Sequence, residues 1–270
     1  MSYLSISPAH LGVASLLIFI NGLLSVALKL GLARRFLIAS VRMTVQLLII
    51  GQILRYVFGV NNGVITLILM LLMWIAATHA ALAHVDYRYK GIWLDGAAAV
   101  GGAAWLILAY ALICVIQPPS WHEPQYSVPL LGMILGNTLS GVTLSLGSFM
   151  EGVRTECDRI ESLLALGATR WEAARATIQQ SVRTGLTPTL NAMTVAGIVS
   201  LPGMMTGQLL SGIDPTQAIR YQIVIFFLVS AGTSLSTVAI VLLAFRRLFS
   251  PWHQLLVSSG TLIPRKSVKA

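Results

Sequence analysis

Long apolar runs alternate with short polar links along this chain of 270 residues. A helix needs about 20 mostly apolar residues to cross the hydrocarbon core of a bilayer. Seven runs reach that length, and each is predicted to be a transmembrane helix: residues 11–30, 36–58, 63–83, 96–117, 129–150, 186–210 and 218–245. The pattern predicts an all-α integral membrane protein with one transmembrane domain over residues 1–250 and a tail over residues 251–270.

Lysine and arginine collect in every second link. The links at residues 59–63, 118–128 and 211–217 contain neither residue type. The other links and the tail carry the basic residues: Lys29, Arg34, Arg35, Arg88, Lys90, Arg154, Arg159, Arg170, Arg175, Arg183, Arg246, Arg247, Arg265, Lys266 and Lys269. Because cytoplasmic loops are enriched in Lys and Arg, we expect the N-terminus outside and the C-terminus in the cytoplasm. That arrangement needs an odd number of spans, which about seven helices satisfy.

Composition supports a membrane protein without catalytic chemistry. Only 10% of the residues are charged, against about 25% in soluble domains. The formal net charge of +9 is explained by the cytoplasmic links, so we expect no nucleic-acid partner. The sequence contains no P-loop, HExxH helix or Ser-His-Asp arrangement. We therefore expect no enzyme, no cofactor and no ATP site on this chain, and the residues identify no metal ligands.

Residues 155–185, between the fifth and sixth spans, form the one long charge-dense stretch. Thr155 followed by Asp158 indicates a helix start, as in a capping box. Apolar residues then recur at helical spacing: Ile160, Leu163 and Leu164. Gly167 suits the left-handed position that commonly follows a helix. The stretch therefore begins with a short amphipathic helix.

A second helix is predicted directly after Gly167. Thr169 and Glu172 have the spacing of a capping box, and we expect Gly185 and Pro188 to end this helix or bend it into the sixth span. Two interpretations of the helix pair remain open. It lies on the lipid headgroups, or it docks into a groove of a soluble motor subunit.

Several segments resemble known permeases. IESLLALGATRWEAA resembles the cytoplasmic coupling loop of ABC-transporter permeases, with Glu161 and Gly167 at the acidic and glycine positions. Residues 42–54, 129–147 and 200–223 resemble the FetB-type iron export permeases, a family that includes the plant aluminium-sensitivity permeases. The resemblance extends from about residue 11 to about residue 250.

The resemblance implies a permease subunit that exports iron or another metal. ATP would be bound by a separate subunit, and two permease copies would assemble with two ATPase subunits in a cell membrane, by resemblance the bacterial inner membrane. The residues expected to couple the permease to the ATPase are Asp158, Glu161, Leu164, Gly167, Ala168, Thr169, Trp171 and Glu172.

Polar or irregular positions within the spans are candidates for the substrate path. Pro202 interrupts the sixth span, and broken helices often line transporter sites, although an ordinary packing kink explains it equally well. Intramembrane polar groups either line a path or connect helices. The candidates are Arg42, Gln46, Asn137, Glu151, Asn191, Pro202, Met204 and Met205.

Small residues recur along the fifth span, from Gly132 and Gly136 to Ser140 and Gly141. Such a stripe lets helices approach closely, so we expect the fifth span to pack on the sixth span or on a second copy.

The residues themselves do not select iron. Asp and Glu are absent from the middle of the spans, and methionine suits a soft ion such as Cu(I). Two alternatives therefore remain open: an ABC permease for another small solute such as a nucleotide-sugar or organic anion, and a motor-independent channel or membrane scaffold.

Overall fold

The computed structural model describes residues 8–60, 62–118, 120, 123–256 and 263–264. Nine α-helices cover most of these residues: α1 Pro8–Ala27, α2 Ala33–Val60, α3 Gly63–Ala83, α4 Ile92–Tyr110, α5 Pro124–Thr155, α6 Cys157–Ala165, α7 Arg170–Val195, α8 Gly203–Leu210 and α9 Pro215–Leu248. A π-helical turn, Ala111–Ile116, continues α4. Two short strands, β1 Tyr87–Arg88 and β2 Ile263–Pro264, pair antiparallel.

Six of these helices are long and apolar enough to cross a membrane: α1 from His10, α2, α3, α4 with its π-helical turn, α5 and α9. They correspond to six of the seven predicted runs. The remaining run, residues 186–210, is not one helix. It comprises the C-terminal third of α7, an irregular segment at 196–202 and the short helix α8.

Helix α5 lies at the centre of the bundle. It packs against α3, α4, α7 and α9, and α3–α4, α4–α9 and α7–α9 also pack against one another. The order around α5 is therefore α3, α4, α9, α7. Among the described residues α3 and α7 make no comparable contact, which leaves one side of α5 open between them.

Glycines allow α5, α7 and α9 to meet closely. A Cβ atom at Gly185 of α7 would lie 2.8 Å from the carbonyl oxygen of Gly141 in α5 and 2.8 Å from Cγ2 of Thr237 in α9. No real Cβ atom fits at that distance from a backbone oxygen. The expected close packing of the fifth span on the sixth thus occurs at Gly141, whereas Gly136 has open space around its Cα.

Helices α1 and α2 pack mainly on each other. Most of their large apolar side chains are exposed, and α2 joins the core near its C-terminal end, where Val57 is buried. In a membrane protein these apolar surfaces are suited to lipid.

An ion pair connects α9 to the start of α4 at one end of the bundle. The Arg247 guanidinium donates from Nε to Oδ2 of Asp95 at 3.1 Å and from Nη2 to Oδ1 at 3.2 Å. The side chain of Asp95 is only 7% exposed. Burial, with the Asp95 charge as a second cause, raises the pKa of the nearby Tyr89 hydroxyl, which therefore stays neutral.

The glycine contact predicts opposite outcomes for two alanine substitutions. Gly185→Ala places a methyl group against the Gly141 carbonyl and should reduce the free energy of unfolding by about 1–3 kcal/mol. Gly102→Ala in α4 is the matched control, since nothing lies within 4 Å of its added Cβ and alanine favours helix. Thermal unfolding of the purified variants measures both, and equal stability of the two would contradict the contact.

Removing Arg247 leaves the buried Asp95 carboxylate without its bidentate partner. We expect Arg247→Ala to lower the free energy of unfolding, because a buried carboxylate without its partner is costly. The neighbouring Arg246 is exposed, and Arg246→Ala should change stability by less than about 0.5 kcal/mol. Denaturation of the detergent-solubilised chain compares them, and similar losses for both variants would argue against the pair.

Candidate coupling element and membrane path

Helix α6 begins at Cys157, after Glu156, and the prediction that Thr155 caps it is wrong. Thr155 is the last residue of α5, and its hydroxyl donates to the Glu151 carbonyl at 2.9 Å. The reason is that α5 continues five residues beyond its apolar run, so this threonine bonds back to the preceding turn, as threonines within helices do.

The amphipathic character of α6 is as predicted. Ile160 is fully buried, and Leu163 and Leu164 pack partly against the core. Asp158 and Glu161 are exposed on the opposite face. The short helix therefore lies on the bundle with its acidic face free.

Glu156 fastens α6 to α7. Its carboxylate accepts a hydrogen bond from the Thr177 hydroxyl at 3.0 Å and pairs with Arg159. The hydrogen bond from Arg159, with a smaller contribution from Thr177, lowers the pKa of Glu156. The two helices are therefore connected by side chains as well as by their turn.

The turn between α6 and α7 is a Schellman motif. Gly167 has φ +93°. The Ala168 N–H donates to the Leu163 carbonyl and the Gly167 N–H to the Leu164 carbonyl, each at 3.0 Å. Both hydrogen bonds satisfy carbonyls at the end of α6, and the predicted left-handed role of Gly167 is confirmed.

The predicted capping box of α7 is confirmed as well. The Thr169 N–H donates to Oε2 of Glu172 at 2.8 Å, and the Glu172 N–H donates to the Thr169 hydroxyl oxygen at 3.3 Å. Hydrogen bonds from Thr169 lower the pKa of Glu172. The start of α7 is therefore fixed.

The chain after α9 packs on this helix start, which the sequence did not indicate. The Arg170 N–H donates to Nδ1 of His253 at 3.0 Å, and its Nη1 donates to the Ser250 carbonyl at 3.3 Å. Trp171 packs edge-on against Phe245, with the ring centroids 5.8 Å apart. These contacts join residues about 80 positions apart in sequence, where local patterns carry no signal. The basic tail residues Arg265, Lys266 and Lys269 lie outside the described residues.

Three large apolar side chains are exposed around the coupling element. Leu166 is 85% exposed and Trp252 83% exposed, and Trp171 is also exposed. They lie at the end of the bundle that carries the basic links. Exposed apolar groups of this kind suit a protein partner.

Helix α7 continues from this element into the bundle without a break. The predicted end of this helix at Gly185 or Pro188 is wrong, since α7 runs to Val195 with Pro188 inside it; the predicted bend stays a prediction. Gly185 serves the contact with α5 and α9, and proline is tolerated within transmembrane helices. The segment after the Gly167 turn and the first ten residues of the sixth predicted span, 186–195, thus belong to one helix, α7.

The interruption of the sixth span lies at residues 196–202. Gly197 has φ +81°, and Ala196 forms a bridge with Ser200. Pro202 precedes α8, on which Met204 is exposed and Met205 is half-buried. The predicted break is confirmed, although it begins before the proline.

Asn137 and Asn191 lie at similar depths on adjacent helices. Gly141 of α5 lies beside Gly185 of α7, and the two helices are antiparallel. Asn137 is four residues before Gly141 and Asn191 is six residues after Gly185. In antiparallel helices both steps lead toward the same end, so the rise per residue places the two residues within about 3 Å in depth. Both side chains are exposed.

The remaining path candidates are not brought together. Glu151 pairs with Arg154 at 3.1 Å near the end of α5. Arg42 and Gln46 share an exposed face of α2, and no described contact joins them to α7. No group of three His, Cys, Asp or Glu side chains that could hold a metal occurs in the described ranges.

Comparison with known proteins places the chain in a family. Residues 8–249 match the family described as Uncharacterised protein family (UPF0014). The Probable iron export permease protein FetB of Escherichia coli (strain K12) is 33% identical over 94% of this chain and 96% of its own length. A UPF0014 membrane protein of Synechocystis is 38% identical over 84% of this chain and 88% of its own length.

A plant protein is similar at greater distance. Protein ALUMINUM SENSITIVE 3 of Arabidopsis thaliana is 25% identical over 90% of this chain and 87% of its own length. No solved structure matches the chain significantly. The family match covers nearly all the helices described above, and the chain is a multi-pass membrane protein that belongs to the UPF0014 family.

Proposed function

We propose that this chain is the transmembrane permease subunit of an ABC transporter, driven by a separate ATP-binding subunit. The observation that carries the proposal is the coupling element, α6, the Gly167 turn and the capped start of α7, continuous with a helix of the bundle. Exposed Leu166 offers an apolar contact beside the free acidic face of α6. A motor subunit that holds this element would move α7 as a unit.

The proposed topology has seven spans, with the N-terminus outside. The seventh crossing, in addition to the six continuous helices, is the C-terminal third of α7 together with α8. Three basic segments meet at one end of the bundle: Asp95 at the start of α4 pairs with Arg247 in the last turn of α9, and Arg154 at the end of α5 lies 5.3 Å from the ring centroid of Tyr87. By the positive-inside rule this end is cytoplasmic.

Two copies of the permease are proposed to assemble with two ATPase subunits. The open side of α5, between α3 and α7, carries exposed Asn137 and Ser140. Both residues lie within the fifth predicted span, where polar groups that face lipid are costly. A second copy that covers this side and encloses a polar path is therefore favoured over contact with lipid.

The proposed cargo is iron or another metal ion, by similarity to the relative named as a probable iron export permease. Another small solute is the second candidate, because the described residues contain no metal-holding cluster. A motor-independent channel or scaffold is the third, and it predicts no ATPase partner.

Gly167→Val tests the coupling. A β-branched residue at φ +93° is strained, so the turn should rearrange and transport should become uncoupled from ATP hydrolysis. The variant should still insert in the membrane. Gly102→Val is the control, since Gly102 has open space and an ordinary helical backbone.

ATP-dependent transport and co-purification of the ATPase subunit are the measurements for both variants. Unchanged transport in Gly167→Val would contradict the docking role. Absence of any ATPase with the wild-type chain would favour the channel or scaffold.

Cells that lack this chain test the cargo. We expect them to accumulate more iron than cells that carry it, and a comparison of iron, copper and aluminium contents by mass spectrometry identifies the metal. As the control, expression of the wild-type chain in these cells should restore their normal metal content. No difference for any metal would contradict metal export and favour the second candidate.

A further inference from the structure

One exposed face of α7 carries several polar side chains where the helix passes through the bundle. Arg183, Thr187, Asn191 and Thr194 recur there at helical spacing, and the exposed Leu190 lies among them. By contrast, the large side chains that α1 exposes are apolar. Because polar groups facing lipid are costly, this face of α7 is suited to a water-filled groove.

Although the sequence pattern assigns Arg183 to a basic link, it lies deeper in the bundle than the end of the apolar run of α5. A Cβ at Gly152 of α5 would lie 2.6 Å from Cγ2 of Thr177, so these two residues are at one level. Gly152 is the second residue beyond the apolar run of α5 and lies within the Glu151–Arg154 turn. Arg183 is six residues further along α7, which places its Cα about 9 Å deeper.

No acidic partner accounts for this arginine. The ion pairs of the described residues are Glu151–Arg154, Glu156–Arg159 and Asp95–Arg247. The guanidinium of Arg183 takes part in none of them, and the described hydrogen bonds include none from its side chain. The apolar runs that form the predicted spans contain no Asp or Glu.

We propose that Arg183 is an anion-recognition residue at the cytoplasmic end of the transport path. This inference rests on the proposed function and specifies the charge of its cargo. A guanidinium binds carboxylate or phosphate oxygens through two parallel hydrogen bonds, whereas it repels a bare cation. A metal cargo therefore crosses as an anionic complex, and a small organic anion would use the same residue.

The hydroxyl of Thr187, one turn deeper, donates to the Arg183 carbonyl at 2.8 Å. Its proton is therefore already engaged. The next free donor along the face is the Asn191 amide, two turns beyond Arg183. The positive charge of Arg183 thus sets the selectivity at the entrance, and the deeper face offers only neutral groups.

Equilibrium dialysis of the full chain in lipid nanodiscs tests the proposal with four probes: citrate, ferric citrate, inorganic phosphate and ferrous iron alone. We expect the wild-type chain to bind at least one anionic probe and Arg183→Gln to weaken that binding about tenfold or more. Arg183→Lys should retain part of it through its charge. Arg175→Gln, on an exposed position of the same helix, should bind as the wild type does.

The probes also separate the two sources of the anion. If the chain binds ferric citrate but not metal-free citrate, the recognised anion is a metal complex. If it binds both equally, the recognised anion is an organic anion. The proposal is overturned if no anion binds, if Arg183→Gln binds anions as the wild type does, or if Arg175→Gln loses as much. Size-exclusion profiles and thermal unfolding show whether each variant is folded.

Failure of the proposed permease role gives a different result from failure of the anion site. If the wild-type chain binds anions through Arg183 but no ATPase subunit accompanies it, the ABC assignment is wrong and the anion site stands. If the ATPase subunit accompanies the chain and Arg183→Gln binds anions normally, only the anion site is wrong.

Discussion

The close contact of Gly141, Gly185 and Thr237 determines how the rest of the bundle can be arranged. The distances leave no room for a side chain at Gly185, so α7 meets the backbone of α5 and the Thr237 side chain of α9 at this point. In a membrane such contacts replace the hydrophobic driving force that water would supply. They fix the depth of α7 relative to α5, and with it the position of every residue on either helix.

Because α7 is continuous through that contact, its two ends belong to one helix. One end is fixed by the Thr169–Glu172 capping box and by the His253 side chain. The other end reaches the interruption at residues 196–202, which lies beyond the level of Asn137 in α5. A displacement of the cytoplasmic end by a partner would therefore reach the polar face within the membrane.

Local patterns predicted most of the elements, and the misses have physical causes. The 63–83 span and the Thr169 capping box were found because apolar length and capping chemistry are local. Thr155 and Gly185 were misassigned because α5 and α7 continue past the points where their apolar or polar patterns change. The His253 contact and the depth of Arg183 depend on packing between distant segments, which no local pattern encodes.

The central claim is that α7 is one rigid helix from the coupling element into the membrane. Pulsed electron spin resonance on labels at Arg175 and Thr194, in protein diluted with unlabelled chains in lipid nanodiscs, measures this directly. The account predicts one narrow distance distribution, set by Cα atoms about 28 Å apart. A broad distribution or a clearly shorter distance would show a break near Gly185 or Pro188 and would contradict the account.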